Sequence, residues 1–175
     1  MMRVLLIAPR TDLFFADAEV QAILRSGLSV TPRLGEVRHA DVLADIDTDA
    51  YDVLWFCGHM TAEGLLLSDG PLSSAELAPI VRGRFGLVVL NSCNSRDTAE
   101  LLQNETDAAV IATVIDVPDS LAFQTGVLFA RELARSGDIP TAYDASKPGN
   151  NRTYVYLAEV KKKCQPESIK RSMSD

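Results

Sequence analysis

Three cysteines in 175 residues, none in the paired spacing that holds a metal or builds a disulfide scaffold, leave this chain without covalent staples. Two histidines and no Cys-x-x-Cys argue against a zinc site. No apolar stretch approaches the ~20 residues that span a bilayer, and Met1-Met2-Arg3 runs straight into a short strand-like segment, unlike a signal peptide. The expected compartment is therefore the cytoplasm, with reduced thiols and no membrane contact. A basic surplus is also missing: the net charge of -7 disfavours a nucleic-acid partner. No glycine-rich phosphate loop follows the first strand, which leads into Pro9-Arg10-Thr11-Asp12, so no metal or cofactor is called for.

What is there suits a globular domain. The hydrophobic fraction of 47% is large enough to build a core without staples. Residues 1–160 read as one domain. Residues 161–175 form a basic tail, in which Lys161, Lys162, Lys163, Lys170 and Arg171 outnumber Glu167 and Asp175, and it reads as a solvated terminus or linker.

Strand-like and helix-like segments alternate. A compact apolar run over 3–8 reads as a buried parallel strand, and Phe15, Ala18, Val20, Ala22, Ile23 and Leu24 give an amphipathic helix that Gly27 ends. A second strand over 28–34 and a helix over 37–46, with Val42, Leu43 and Ile46 inward, come next. The run 53–57 is a strand, and 65–72 a hairpin about Ser68-Asp69-Gly70-Pro71 lying over the strand ends. Ser73-Ser74-Ala75-Glu76 resembles a capped helix start. Strands over 86–90 and 108–117, helices over 97–104 and 121–135, and an edge strand over 154–160 complete a mostly parallel sheet covered on both faces.

In such sheets function gathers at the carboxyl ends of the strands. That edge holds Arg10 and Asp12, Gly58 and His59, the stretch 91–95, and Asp116 to Asp119. Two strands end in a reactive side chain, His59 and Cys93; as neighbours they would form a thiolate–imidazole pair. A nearby imidazole and a helix amino terminus both favour the thiolate, and backbone N–H groups at the turn could hold an oxyanion. The plainer readings are a small buried cysteine and an inert histidine. Cys57 reads as core, Cys164 lies in the basic tail, and His39 reads as a surface residue.

Gly58-His59 at a strand end, the segment from Gly64 through Ser68-Asp69-Gly70-Pro71 to Ser73-Ser74-Ala75-Glu76-Leu77, the run into Cys93, Val110-Ile111-Ala112-Thr113 and Val117-Pro118-Asp119 together resemble the caspase-like cysteine peptidases of clan CD, most closely the prokaryotic CHAT branch. The resemblance covers roughly residues 50 to 160. It implies an α/β, caspase-like three-layer sandwich with a mostly parallel sheet of about six strands flanked by helices. It also implies a cysteine endopeptidase with His59 as general base and Cys93 as nucleophile, and with the oxyanion held by the amides of Met60 and Cys93. Glycine is usual where Met60 stands; the methionine keeps its N–H, but its side chain is expected to restrict the backbone and fill substrate space. The family reads the residue before the cut from positions that correspond to Arg10 or Asp12, Asn91, and Asp116 or Asp119. Acidic groups there select Lys or Arg and Arg10 selects an acid; the balance falls on basic sites through Asp116. Asp119 also suits a helix cap.

The partners implied are a protein substrate and a regulatory protein, in a setting such as phage defence or programmed cell death. The alternatives are a caspase-like interaction module without activity and a flavodoxin-like or receiver-like ligand-binding domain.

Overall fold

The computed structural model describes residues 1–149 and 152–158. The tail 161–175 with Cys164, and the last residues of the expected strand 154–160, lie outside the described residues. Six strands form one sheet in the order β2 (Ser29–Gly35), β1 (Arg3–Pro9), β3 (Val53–Cys57), β6 (Leu87–Asn91), β7 (Ala109–Thr113) and β8 (Tyr154–Leu157). All neighbours are parallel except β8, which runs antiparallel to β7. A short hairpin of β4 (Gly64–Leu67) and β5 (Gly70–Ser73) stands apart from it.

The alternation of strand side chains builds two cores, one on each face of the sheet. Leu5, Ile7, Leu54, Phe56, Val88 and Leu90 face α2 (His39–Thr48), α3 (Ser74–Val81), α4 (Arg96–Glu105) and the hairpin. Val4, Leu6, Val53, Trp55, Leu87, Val89 and Ile111 face α1 (Ala16–Leu24), α5 (Asp119–Ser136) and α6 (Ile139–Ser146). This is the expected three-layer sandwich. Both faces of the central strands are buried, so their sequences are continuously apolar.

Local chemistry sets the helix ends. Ser73 accepts the amide of Glu76 and Glu76 returns a bond to Ser73, the anticipated capping box of α3. Gly137 ends α5 in the left-handed conformation, φ 66°.

Four details differ from the sequence reading. Leu43 points outward, 45% exposed, while Val42 and Ile46 point in. The strand expected over 108–117 stops at Thr113, because the following segment leaves the sheet to cross beside Cys93. Asp119 does not cap α5, whose cap position is Pro118; its carboxylate accepts the Phe15 amide at 2.9 Å and ties the β1–α1 loop to α5. The short helix α6 was not anticipated; Asp138 caps it by accepting the Thr141 amide.

Candidate active site

The strands β3 and β6 pair in parallel with Cys57 opposite Asn91. Two residues further on, each chain presents its reactive side chain: His59 and Cys93 leave neighbouring strand ends at one edge, and both are exposed. The Ser92 hydroxyl donates to the Gly58 carbonyl, so the two ends are stitched directly above the last strand pair. The Thr113 hydroxyl donates to the Ser92 carbonyl, and the Thr113 amide donates to Ser95 Oγ at 2.9 Å, which fixes the Cys93 turn to β7 as well.

The two side chains are not hydrogen-bonded to each other. His59 Nε2 lies 2.6 Å from Asp12 Oδ1, across from the β1–α1 loop. That bond from the ring holds the Asp12 carboxyl below its ordinary range. The Cys93 thiol sits against the backbone of Val117, 3.6 Å from its carbonyl oxygen and 3.4 Å from its nitrogen. Asn94, immediately after the cysteine, has φ 53° and donates to Asp116 at 2.5 Å. It is the sole non-glycine residue among those described with positive φ, which places a strained turn beside the thiol.

Met60 differs from what the sequence suggested. Its φ is not positive, so the position makes no demand for glycine. Its side chain turns down against the core beneath the hairpin, where Met60 bridges to Leu65 and the Leu66 amide donates to the His59 carbonyl at 3.0 Å. Among the described residues neither the Met60 nor the Cys93 amide donates a hydrogen bond.

The expected substrate-reading positions separate. Arg10 lines a cleft of about 150 Å³ with Thr11, His59, Leu66 and Ser68, and its side chain makes no ion pair among the described residues. Asp12 is on His59 and Asp116 on Asn94. Asn91 is 6% exposed and spends its amide internally, donating to Glu19 at 2.6 Å and to the Ala122 carbonyl at 3.0 Å while accepting from the Tyr154 hydroxyl at 2.7 Å. Its burial makes it part of the floor beneath the site, where a substrate side chain does not reach it directly.

Glu19 was missed by the sequence reading. It is an acidic residue on the amphipathic helix α1, 5% exposed, and burial pushes its carboxyl up to about 7. Burial likewise pushes up the Cys57 thiol, which donates to Glu19 at 3.3 Å, and the Tyr154 hydroxyl. His39 also differs from a plain surface residue: it is half-buried, with Nδ1 2.7 Å from Asp69 and Nε2 3.2 Å from the Pro71 carbonyl. No cluster of three or more His, Cys, Asp or Glu suited to a metal occurs among the described residues. Among them no helix is long and apolar enough to cross a membrane.

A family model described as the CHAT domain matches residues 12–137. The solved structure of a secreted C11 cysteine protease from Bacteroides thetaiotaomicron, in complex with an irreversible peptide inhibitor, is similar in fold. Its TM-score is 0.50 at 14% identity, covering 83% of this chain and 57% of that one. The chain thus spans little more than half of that structure. No curated protein matches it.

Proposed function

The chain belongs to the CHAT domain family, and on that premise we propose that it is a cysteine endopeptidase in which His59 activates Cys93 against a peptide carbonyl. The observation that carries this reading is the in-register pairing of β3 and β6, whose last pair, Cys57 with Asn91, stands two residues before His59 on one side and Cys93 on the other.

In this mechanism His59 takes the thiol proton as sulfur attacks the carbonyl carbon. The negative charge that develops on the carbonyl oxygen is met by the Met60 and Cys93 amides, both without a partner among the described residues. Collapse breaks the C–N bond, His59 returns its proton to the leaving amine, and a thioester remains on Cys93. Water, deprotonated by His59, then hydrolyses the thioester and restores the thiol. Asp12 holds Nε2, which orients the ring with Nδ1 available to sulfur. The imidazole must swing or the thiol must leave Val117 for the proton transfer, and substrate entry supplies the occasion.

Of the charges near the cleft, Arg10 lines it beside His59, whereas Asp116 is not among its lining residues and accepts from Asn94. This favours an acidic side chain next to the cut over the basic one that Asp116 would read. We assign the substrate to a specific protein partner, and the setting to bacterial defence or cell death, on the family likeness alone.

The competing reading is a caspase-like interaction module without turnover, favoured by the thiol's contacts with Val117. Incubating the protein with a proteome-derived peptide library and sequencing the products separates the two. Cleavage that disappears in Cys93→Ala and His59→Gln supports the peptidase; equal cleavage by Cys93→Ala, or none by any form, overturns it.

A further inference from the structure

The carboxyl group of Glu19 reaches both strand ends at once. Its Oε1 accepts from Asn91 Nδ2 at 2.6 Å and from Cys57 Sγ at 3.3 Å. These two residues are register partners at the last pair of β3 and β6, and each stands two positions before a reactive residue, Cys57 before His59 and Asn91 before Cys93. Both strands end at this pair, and a single residue, Gly58 on one side and Ser92 on the other, links it to the reactive one; the Ser92 hydroxyl donates to the Gly58 carbonyl and ties the two links together, so a shift at the pair carries to both.

The fold makes room for this carboxyl. Gly126 on α5 faces it, and a Cβ there would collide with Glu19 and lie 3.0 Å from Asn91 Nδ2. Asn91 is held on its other side by the Tyr154 hydroxyl and the Ala122 carbonyl, so it cannot turn away. A buried acid that served only packing would be replaced by an apolar residue at no cost in hydrogen bonds. Here its removal takes the acceptor from one N–H of the Asn91 amide and from the Cys57 thiol under the site.

We propose that Glu19 is a positioning residue, which sets the separation and direction of His59 and Cys93 by gripping the residue two positions before each. The inference rests on the peptidase reading for its role, but not for its geometry. The groups facing Glu19 are Cys57 from β3, Asn91 from β6, Asp119 and Gly126 from α5 and Tyr154 from β8. No cation pairs with it among the described residues. Ionisation therefore charges the floor without compensation, and the two strand ends respond as pH passes through neutrality.

The test measures iodoacetamide labelling of Cys93 by site-resolved mass spectrometry in the full chain, with the His59→Gln rate subtracted. Glu19→Ala is expected to lower the His59-dependent rate by about fivefold or more, as loss of a supporting partner does. Val20→Ala, a core truncation on the same helix, leaves that rate within about twofold at a similar loss of melting temperature. Glu19→Gln keeps the shape and the acceptor; it retains the wild-type rate and flattens its change between pH 6 and 8. Equal rates for Glu19→Ala and Val20→Ala, or an unchanged pH profile in Glu19→Gln, overturn the proposal.

A second readout does not depend on activity. In a His59→Gln background, the backbone amide resonances of residues 59 and 93 should both shift with a common midpoint near neutral pH, and both shifts should vanish with Glu19→Gln. Absence of the shared shift overturns the positioning role. A wild-type Cys93 that labels no faster than in His59→Gln, with the shared shift present, overturns the peptidase reading instead.

Discussion

His59 Nε2 and Asp12 Oδ1 meet at 2.6 Å although they arrive from different strands, one after β3 and the other after β1. The carboxylate is exposed and the ring is anchored at one nitrogen, so in the proposed peptidase Asp12 would be a third group behind His59.

Loss of that anchor should cost rate more than binding. Asp12→Ala is expected to lower kcat/KM by about tenfold, roughly 1.4 kcal/mol of barrier, mostly through kcat. Steady-state kinetics on a cleaved library peptide checks this.

Met60 supplies an amide and a packed side chain, and the two can be separated. Met60→Gly should lower stability by about 1 kcal/mol through lost packing and leave the rate near wild type. Met60→Pro removes the N–H and should lower kcat by about a hundredfold or more, while iodoacetamide labelling of Cys93, which needs no oxyanion hole, persists. A rise in activity with Met60→Gly would show that the side chain obstructs substrate.

Glu19 ties stability to pH. Burial raises its carboxyl from 4.5 to about 7 in the folded protein, so the native state holds this proton more tightly than the unfolded chain. Its contribution is full below the ordinary value and is lost as pH rises to about 7, by roughly 3 kcal/mol. Denaturant midpoints at pH 5 and pH 8 should differ accordingly, and Glu19→Gln should remove this part of the difference and leave the smaller part due to His39.

Arg10→Ala should reduce cleavage of peptides with Asp or Glu before the cut by about tenfold and leave neutral ones unchanged. Faster cleavage of Lys or Arg peptides by the wild type would return the role to Asp116.

His39 latches the hairpin whose Leu66 amide braces the His59 carbonyl. Burial opposes its charge, yet the Asp69 carboxylate and the Pro71 carbonyl raise its pKa overall. The latch is therefore complete below the ordinary histidine value and weakens as pH rises through the raised one. Protection factors of the amides of residues 64–70, 72 and 73, which remove the intrinsic rise of exchange with pH, should fall over that range in the wild type and stay low in His39→Gln.

The sheet was legible because its central strands are buried on both faces: residues 53–57 and 87–90 are apolar without alternation, and small or polar residues mark where they stop. His59 and Cys93 followed from those stops. Glu19 did not, since an acid on an amphipathic helix carries no local mark of burial; its partners come from β3 and β6, 38 and 72 residues away. The helix α6 has eight residues, too few for a clear apolar stripe, although Asp138 followed by Pro140 was a usable start signal. Residues 114–117 read as strand because Val114, Ile115 and Val117 suit one, whereas the Cys93 turn draws them off the sheet.

The reversed direction of β8 has a practical side. β1 enters the sheet at the edge opposite His59 and Cys93, and β8, antiparallel to its neighbour, leaves by that same remote edge. Its four residues put Leu157 about 10 Å from Tyr154, which lies under the site. Arg3 and Leu157 therefore both lie at the sheet edge remote from His59 and Cys93. A fluorescent reporter or a surface tether attached at either residue leaves the cleft facing solution.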